Sequence, residues 1–198
     1  MKQLFTIAVA ALLLASCTTK TNNMNENPTI KTIMTRVSVR QFKSEKPSSA
    51  QINILLRAAM AAPSAVNKQP WEFLVVDDPD MLHKIGEQFP NSRVQNGAQV
   101  AIVPCGNMTE ALEGEARDYW IQDVSAAVEN LLLAAHSLGL GAVWTGLYPI
   151  EARAKQAAEL LDLPEPIVPL CIIPVGYPAE QPAVKDKYQK DKIHYNVW

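Results

Sequence analysis

The order of apolar patterns along this 198-residue sequence predicts an α+β fold, in the form of a mixed α/β sandwich. Apolar residues recur at helical spacing over residues 117–138, and apolar runs of strand length occupy residues 71–76 and 168–175. Helical and strand patterns alternate irregularly and without an internal repeat, which favours this fold class. The chain is long enough to bury a core within one domain.

Capping and breaking residues mark the ends of several predicted elements. Ser48 or Ser49 can cap a helix with apolar residues at intervals of three and four, and Pro63 stops that helix. Gly139 and Gly141 end the helical pattern over residues 117–138. The other predicted elements are strands over residues 71–76, 99–103 (ending at Pro104), 142–144 and 168–175, and helices over residues 79–88 and 152–161.

The helical pattern over residues 117–138 is apolar on more than one face. Isoleucine, valine and leucine residues define one side, and alanines widen the apolar surface beyond a single stripe. We therefore expect this helix to be buried on several sides. The sequence leaves open whether it forms the centre of the domain or a subunit interface.

The first residues have the pattern of an export signal. Lys2 precedes an apolar run from Leu4 to Ala15, which is too short to span a membrane and is followed by Ser16 and Cys17. The run ends in a sequence that resembles a bacterial lipobox, although an ordinary signal peptide with an accidental cysteine would look similar. We expect a lipoprotein signal over 1–17 with lipidation at Cys17, a flexible tether over 18–28 and a folded domain over 29–198. This organisation predicts an exported lipoprotein, anchored on the periplasmic or cell-surface side of a bacterial membrane.

Composition and motif content exclude several function classes. A formal charge of -2 without a polybasic run argues against a nucleic-acid partner. The three histidines lack metal-ligand spacing, so no metal site is predicted. Neither a G-x-S-x-G elbow nor a phosphate-loop motif occurs, which disfavours acyl transfer and nucleotide hydrolysis. Cys105 and Cys171 lie in apolar strand-like segments and are expected to be two buried free thiols, although export would permit a disulfide.

Two segments offer polar side chains in patterns that suit a ligand. Arg36, Ser38 and Arg40 alternate, so on an extended stretch all three point the same way and form a cradle for a phosphate or carboxylate. A surface run at a helix start is the alternative. A Pro- and Asn-containing loop at residues 62–70 places neutral hydrogen-bonding groups at the mouth of a strand, and these would either contact a ligand or only satisfy the turn.

These segments resemble the flavin-dependent nitroreductase family. The pairing of R-x-S-x-R-x-F with P-S-x-x-N-x-Q-P-W-x-F is similar to that family, and the similarity continues through residues 119–149 and the ending KDKYQKDKIHYNVW. The resemblance implies a nitroreductase-like fold with a central, mostly antiparallel sheet flanked by helices, an intertwined homodimer and FMN as the cofactor. It also implies that no side chain is catalytic, because the flavin carries the chemistry.

The resemblance assigns a role to each group of polar residues. The phosphate and ribityl chain would lie on Arg36 and Ser38, with Arg40 at the pyrimidine edge. A C-terminal arm over 178–198 is expected to dock and to bring a lysine to the phosphate. Expected cofactor-binding residues are Arg36, Ser38, Arg40, Ser64 (on a loop that faces the partner subunit's flavin), Asn67, Gln69, Trp144, Thr145 and Gly146 (whose backbone donates toward the reactive nitrogen), Lys185 and Lys187.

The resemblance further implies a reaction class. A reduced donor such as NAD(P)H would deliver a hydride to the flavin and leave, and a nitroaromatic, quinone or similar acceptor would then take its place. Tyr119 and Trp120 would form a wall for an aromatic acceptor or belong to the core. A flavin-binding lipoprotein without turnover and a reductive dehalogenase-like relative are the alternatives. Because nicotinamide donors are scarce outside the cytoplasm, export would require a membrane or protein donor.

Overall fold

The computed structural model describes residues 27–198, which form a six-stranded sheet between two layers of helices. The predicted signal, tether and lipidation site at Cys17 lie outside the described residues, apart from the last two tether positions. Within residues 27–198, no helix is both long and apolar enough to cross a membrane. The helices are α1 (Pro28–Thr35), α2 (Ser49–Met60), α3 (Pro79–Gln88), α4 (Tyr119–Ser137) and α5 (Glu151–Leu160), and the strands are β1 (Trp71–Val76), β2 (Val100–Asn107), β3 (Gly141–Ala142), β4 (Thr145–Gly146), β5 (Ile167–Pro169) and β6 (Cys171–Gly176).

The two central strands, β2 and β6, each pair with several neighbours. Strand β2 has β1 on one edge, and on its other edge it pairs first with β6 and then with β5. Strand β6 also pairs with β3 and β4. Every one of these pairings is antiparallel. The predicted α+β class with a mostly antiparallel sheet is confirmed.

Alternation along β2 divides the core between the two faces of the sheet. Val100 and Ile102 pack in a cluster with α2 and α4, whereas Ala101, Val103 and Cys105 pack in a second cluster with α3 and α5. Helix α4 lies in the first cluster and is buried along one side. The other faces of α4 are only partly buried or exposed within this chain, so the expectation of burial on several sides is not met here. Its place in the first cluster makes it the central helix of the domain.

The structure differs from the sequence-based elements in four places. The predicted strand over residues 142–144 is wrong beyond its first residue, because β3 ends at Ala142 and neither Val143 nor Trp144 lies in a strand. Helix α1 was not predicted, and the apolar run over 168–175 is two strands, β5 and β6, separated by Leu170. Strand β2 does not end at Pro104 but continues to Asn107. The carbonyl of Pro104 accepts a hydrogen bond from the Leu170 amide (2.9 Å) where β2 passes from pairing with β6 to pairing with β5. Proline is tolerated there because the position uses its acceptor, and the strand changes partner around it.

Cys105 and Cys171 are both buried and free. Burial, followed by the nearby Glu72 carboxylate, raises the pKa of Cys105 to about 12, and burial also raises the pKa of Cys171. Both thiols are therefore protonated at neutral pH and unsuited to nucleophilic or redox chemistry. The prediction of two buried free thiols is confirmed.

Candidate functional site

The first part of the site is an extended segment that follows α1. The Asn27 side chain caps α1 by accepting hydrogen bonds from the amides of Thr29 and Ile30 (2.9 and 3.2 Å). At the other end of α1, the Thr35 hydroxyl lies 2.9 Å from Nε2 of His136 on α4. Burial and, secondarily, the nearby Arg36 guanidinium lower the pKa of His136, so the imidazole is neutral at neutral pH. The chain is thus fixed to the central helix directly before the first predicted cofactor contact.

Alternate side chains of this segment are fixed in the core. Val39 and Phe42 are buried with Ala98 in a small apolar cluster. The Val39 amide donates to the Ala142 carbonyl (3.1 Å), and the Phe42 amide donates to the Asn96 carbonyl (2.9 Å). The Val37 side chain packs against this cluster as well. Because successive side chains of an extended segment point in opposite directions, residues 36, 38 and 40 are directed away from Val37 and Val39.

Five of the predicted cofactor-binding residues line a single cleft of about 640 Å³. The segment after α1 forms one wall and the C-terminal arm forms the other. Two carboxylates, Glu129 and Asp186, share the lining. We call this cleft the cationic cleft, and its predicted residues are Arg36, Ser38, Arg40, Lys185 and Lys187.

The cationic cleft contains more positively charged side chains than carboxylates that could pair with them. Arg36 is paired with Glu129 through Nε and Oε1 (3.4 Å), and its side chain is 18% exposed. Arg40 Nη1 donates to the Ser38 carbonyl (3.3 Å), and the Arg40 amide donates to the Glu180 carboxylate (2.7 Å). Within residues 27–198, neither the Arg40 guanidinium nor the ammonium groups of Lys185 and Lys187 form an ion pair. The cleft therefore suits a multiply charged anion such as a phosphate monoester.

The second part of the site is the loop at residues 64–69. The Ser64 hydroxyl accepts a hydrogen bond from the Gln69 amide (3.0 Å), and Asp123 Oδ1 on α4 accepts one from the Ala65 amide (2.8 Å). Asn67 and Gln69 are exposed, and within the described residues their side-chain amides make no hydrogen bond. The backbone of this turn is satisfied by other groups, so both amides are available to a ligand.

The third part of the site is the short strand β4 with Trp144 before it. Trp144 is 36% exposed, and the Thr145 hydroxyl donates to the Asn91 carbonyl (3.4 Å). A Cβ built on Gly146 would meet no protein atom within 4 Å, so the space beside its backbone is open. Close approach of a planar ligand to this backbone is therefore sterically possible.

A single chain does not bring the three parts of the site together. The residues of the 64–69 loop and of β4 are absent from the lining of the cationic cleft. Of the two predicted substrate contacts, Tyr119 is 47% exposed, whereas Trp120 is 3% exposed and packs edge-on against Tyr148 (ring centroids 5.0 Å apart). Of the two alternatives for Trp120, a wall for an acceptor or a core residue, the structure shows the second, because its ring is covered by the core.

Three acidic residues of the site were missed at the level of sequence. Glu129 pairs with Arg36, Glu180 accepts from the Arg40 amide, and Asp123 accepts from the loop. A signal existed for Asp123, because it interrupts the buried face of α4 between Trp120 and Val124. Glu129 and Glu180 lie among ordinary polar surface residues and gave no such signal.

Comparison with known proteins assigns the chain to a family. A sequence profile of the Nitroreductase family matches residues 33–92 and 83–177. The chain belongs to the nitroreductase family. A crystal structure of a Parabacteroides distasonis member, with the provisional name NADH dehydrogenase/NAD(P)H nitroreductase, is 43% identical, covers 87% of this chain and 100% of its own, and superposes with a TM-score of 0.82. The predicted family, fold and oxidoreductase class are thereby confirmed.

Two further relatives bear on cofactor and substrate. A protein from Desulfovibrio desulfuricans with the provisional name nitroreductase was crystallised in complex with FMN. Its sequence is 31% identical to this one, and the match covers 87% of this chain and 99% of that chain with a TM-score of 0.73. An iodotyrosine deiodinase from Haliscomenobacter hydrossis is 31% identical over 79% of this chain and 82% of its own length. Proteins of similar sequence therefore act on different substrates.

Proposed function

We propose that this protein is an FMN-dependent oxidoreductase that reduces nitroaromatic, quinone or similar electron-poor acceptors. The observation that carries this proposal is the cationic cleft, where five residues predicted to bind FMN meet although they lie up to 151 positions apart (187 − 36). Four cations face two carboxylates there, which matches the doubly charged phosphate of FMN. The nitroreductase family and the FMN complex of a relative support the same cofactor, and the measurements below test both the cofactor and the acceptor.

The residues of the chain supply binding and electrostatics. The chemistry of bound FMN is hydride transfer from a reduced donor to an acceptor. Arg36, Lys185 and Lys187 hold the phosphate by charge, and the Ser38 hydroxyl adds a neutral hydrogen bond. Arg40, which has no ion-pair partner within residues 27–198, is free to place positive charge beside the pyrimidine edge, where it favours a reduced, more negative ring.

A second copy of the chain completes the site in this proposal. Residues 181–198 make hydrogen bonds only among themselves within the described part of the chain. The exposed apolar side chains on this arm and on α1 form a surface that a partner would cover. These side chains are Ile30, Ile33, Met34, Val184, Tyr188, Ile193, Tyr195, Val197 and Trp198. We propose a homodimer in which the 64–69 loop of one chain faces the cationic cleft of the other.

One set of measurements on the purified protein tests this function. We expect a yellow protein with one FMN per chain, two chains per particle by light scattering, and parallel lines in double-reciprocal plots when NADH and a nitroaromatic acceptor are varied together. Parallel lines are expected because donor and acceptor would occupy the same face in turn. A colourless protein that takes up no added FMN would refute the proposal.

Two other functions would use the same cofactor, and the substrates that the protein turns over distinguish them. The similarity to an iodotyrosine deiodinase raises reductive dehalogenation as a second candidate. Faster turnover of iodotyrosine than of nitroaromatics or quinones would favour dehalogenation, and bound FMN without turnover of any acceptor would favour a flavin-storage protein.

We also propose that the mature protein is a lipoprotein anchored through Cys17, with a membrane or protein electron donor. The support is the apolar run over residues 4–15 followed by Ser16 and Cys17. Cells that express the full chain and are fed a fatty-acid analogue are expected to label the wild type but not Cys17→Ala, and Cys17→Ala is expected to leave the membrane fraction. Equal labelling and fractionation of the wild type and Cys17→Ala would show that Cys17 is not the anchor. A membrane or protein electron donor would then not be required.

A further inference from the structure

The 64–69 loop has an unfavourable backbone. Val66, Asn67 and Gln69 have positive φ values of 43°, 58° and 52°. Asparagine tolerates this left-handed conformation, but a β-branched valine rarely adopts it, because its Cβ substituents crowd the backbone. Such strain persists only where surrounding structure holds the backbone in place, and it is concentrated at functional sites.

Side-chain packing does not hold the tip of this loop. Val66 is 80% exposed, and Asn67, Lys68 and Gln69 are exposed as well. The bond from the Gln69 amide to the Ser64 hydroxyl lies within the loop and would move with it. Among the hydrogen bonds of residues 64–69, the bond from the Ala65 amide to Asp123 Oδ1 (2.8 Å) connects the loop to the body of the domain.

Asp123 occupies a position where an acidic side chain is otherwise unfavourable. It is 6% exposed on the buried face of α4, and Trp120 and Val124 beside it belong to the hydrophobic core. A buried carboxyl group is costly unless hydrogen bonds compensate for the loss of water. An apolar residue would pack at this position without that cost, so core packing alone does not account for aspartate.

We propose that Asp123 is a positioning residue for the flavin site. Its carboxyl group fixes the strained loop in the conformation that presents the amides of Asn67 and Gln69 to the cofactor. This hydrogen bond offsets part of the cost of the strained backbone. This inference rests on the proposed function, because it assigns the purpose of the loop to FMN binding.

The tether can be tested in the protein without flavin. Because trypsin requires a locally unfolded chain around the bond that it cuts, the rate of cleavage after Lys68, followed by fragment mass, is expected to report loop opening. Asp123→Ala is expected to raise this rate about 10- to 100-fold, the factor that corresponds to loss of a hydrogen bond to a charged group. Asp123→Asn keeps an acceptor oxygen and is expected to restore most of the protection.

A second variant approaches the same bond from the loop. Ala65→Pro removes the donor without changing α4, and proline suits the first position of the short 3-10 helix at residues 65–67. Ser64 before it is extended (φ -140°, ψ 158°), which is the conformation required before proline. If Asp123→Ala fails to fold, Ala65→Pro still removes the bond, and it is expected to reproduce the change in bound flavin described next.

The flavin readout separates positioning from stability. Asp123→Ala and Ala65→Pro are expected to alter the visible circular dichroism of bound FMN and to weaken its binding about tenfold. Ser48→Ala, which removes the cap of α2, is a control that lowers stability without touching the loop, and is expected to change neither signal. If wild type binds FMN but Asp123→Ala matches Ser48→Ala in Lys68 cleavage and flavin dichroism, the positioning role is refuted. If wild type binds no FMN, the proposed function itself is refuted.

Discussion

Replacement of Arg36 by alanine is expected to weaken FMN binding by about 100-fold or more. The Arg36 side chain is 18% exposed and pairs with Glu129, whereas the other three cations of the cationic cleft are exposed residues. The variant would lose a charge-assisted contact with the phosphate and would also leave Glu129 facing that phosphate without its partner. The second effect adds repulsion to the lost attraction.

The two contributions to the loss of FMN affinity can be measured separately with a double-mutant cycle. Glu129→Gln alone is expected to leave FMN binding unchanged or slightly tighter, because Arg36 keeps its charge. In the Arg36→Ala background, the same change is expected to recover about two- to fivefold of the lost affinity, because it removes the unpaired carboxylate, which is half exposed and therefore partly screened. The dissociation constants would be obtained from quenching of flavin fluorescence in titrations at fixed ionic strength.

A control for the loss of one positive charge is available on α5. Lys155 is 80% exposed and forms a loose pair with Glu159 (3.9 Å), remote from the lining of the cationic cleft. Lys155→Ala changes the net charge of the protein by the same amount as Arg36→Ala and is expected to affect FMN binding less than about twofold, because an exposed charge is screened. Equal effects of the two variants would show that the cleft does not hold the phosphate.

The parts of the site that sequence analysis predicted are those that depend on local pattern. Arg36, Ser38 and Arg40 point into one cleft because alternation is a property of any extended segment. Helix α2 begins after Ser48, as predicted, because a capping box of Ser48 and Gln51 is encoded within four residues. Strand β1 and helix α3 likewise have the predicted bounds, since apolar alternation and proline mark their ends.

The parts that sequence analysis missed depend on contacts between distant residues. Helix α1 is rich in threonine and isoleucine, whose helix propensity is low, so the sequence assigns residues 29–35 to the folded domain without predicting a helix there. Its end is held by His136, which is 101 positions away, and the loop is held by Asp123, which is 58 positions away. Neither pairing leaves a pattern along one sequence, because each partner satisfies a geometric need that only the folded chain creates.

Replacement of Gly97 by alanine is expected to lower the free energy of unfolding by about 3 kcal/mol or more. Gly97 has a φ of 95°, which a residue with a Cβ rarely adopts, and a Cβ there would overlap the carbonyl oxygen of Phe42. Because that oxygen belongs to the backbone, rotation of a side chain cannot relieve the overlap. Urea unfolding of the flavin-free protein, followed by tryptophan fluorescence, would measure the loss, and the melting temperature is expected to fall by about 6–12 °C.

Gly114 supplies a control that isolates the steric part of this effect. Gly114 also has a positive φ (59°), but a Cβ there would meet no atom within 4 Å, so Gly114→Ala is expected to cost only about 1 kcal/mol. The turn at Gly97 also holds the cationic cleft, since the Asn96 carbonyl accepts from the Phe42 amide (2.9 Å) and Asn96 Nδ2 donates to the Arg40 carbonyl (2.8 Å). Gly97→Ala is therefore expected to weaken FMN binding as well, whereas Gly114→Ala should not. Equal stability of the two variants would mean that residues 40–42 shift without cost, and the cleft would then lack the rigid support that this turn provides.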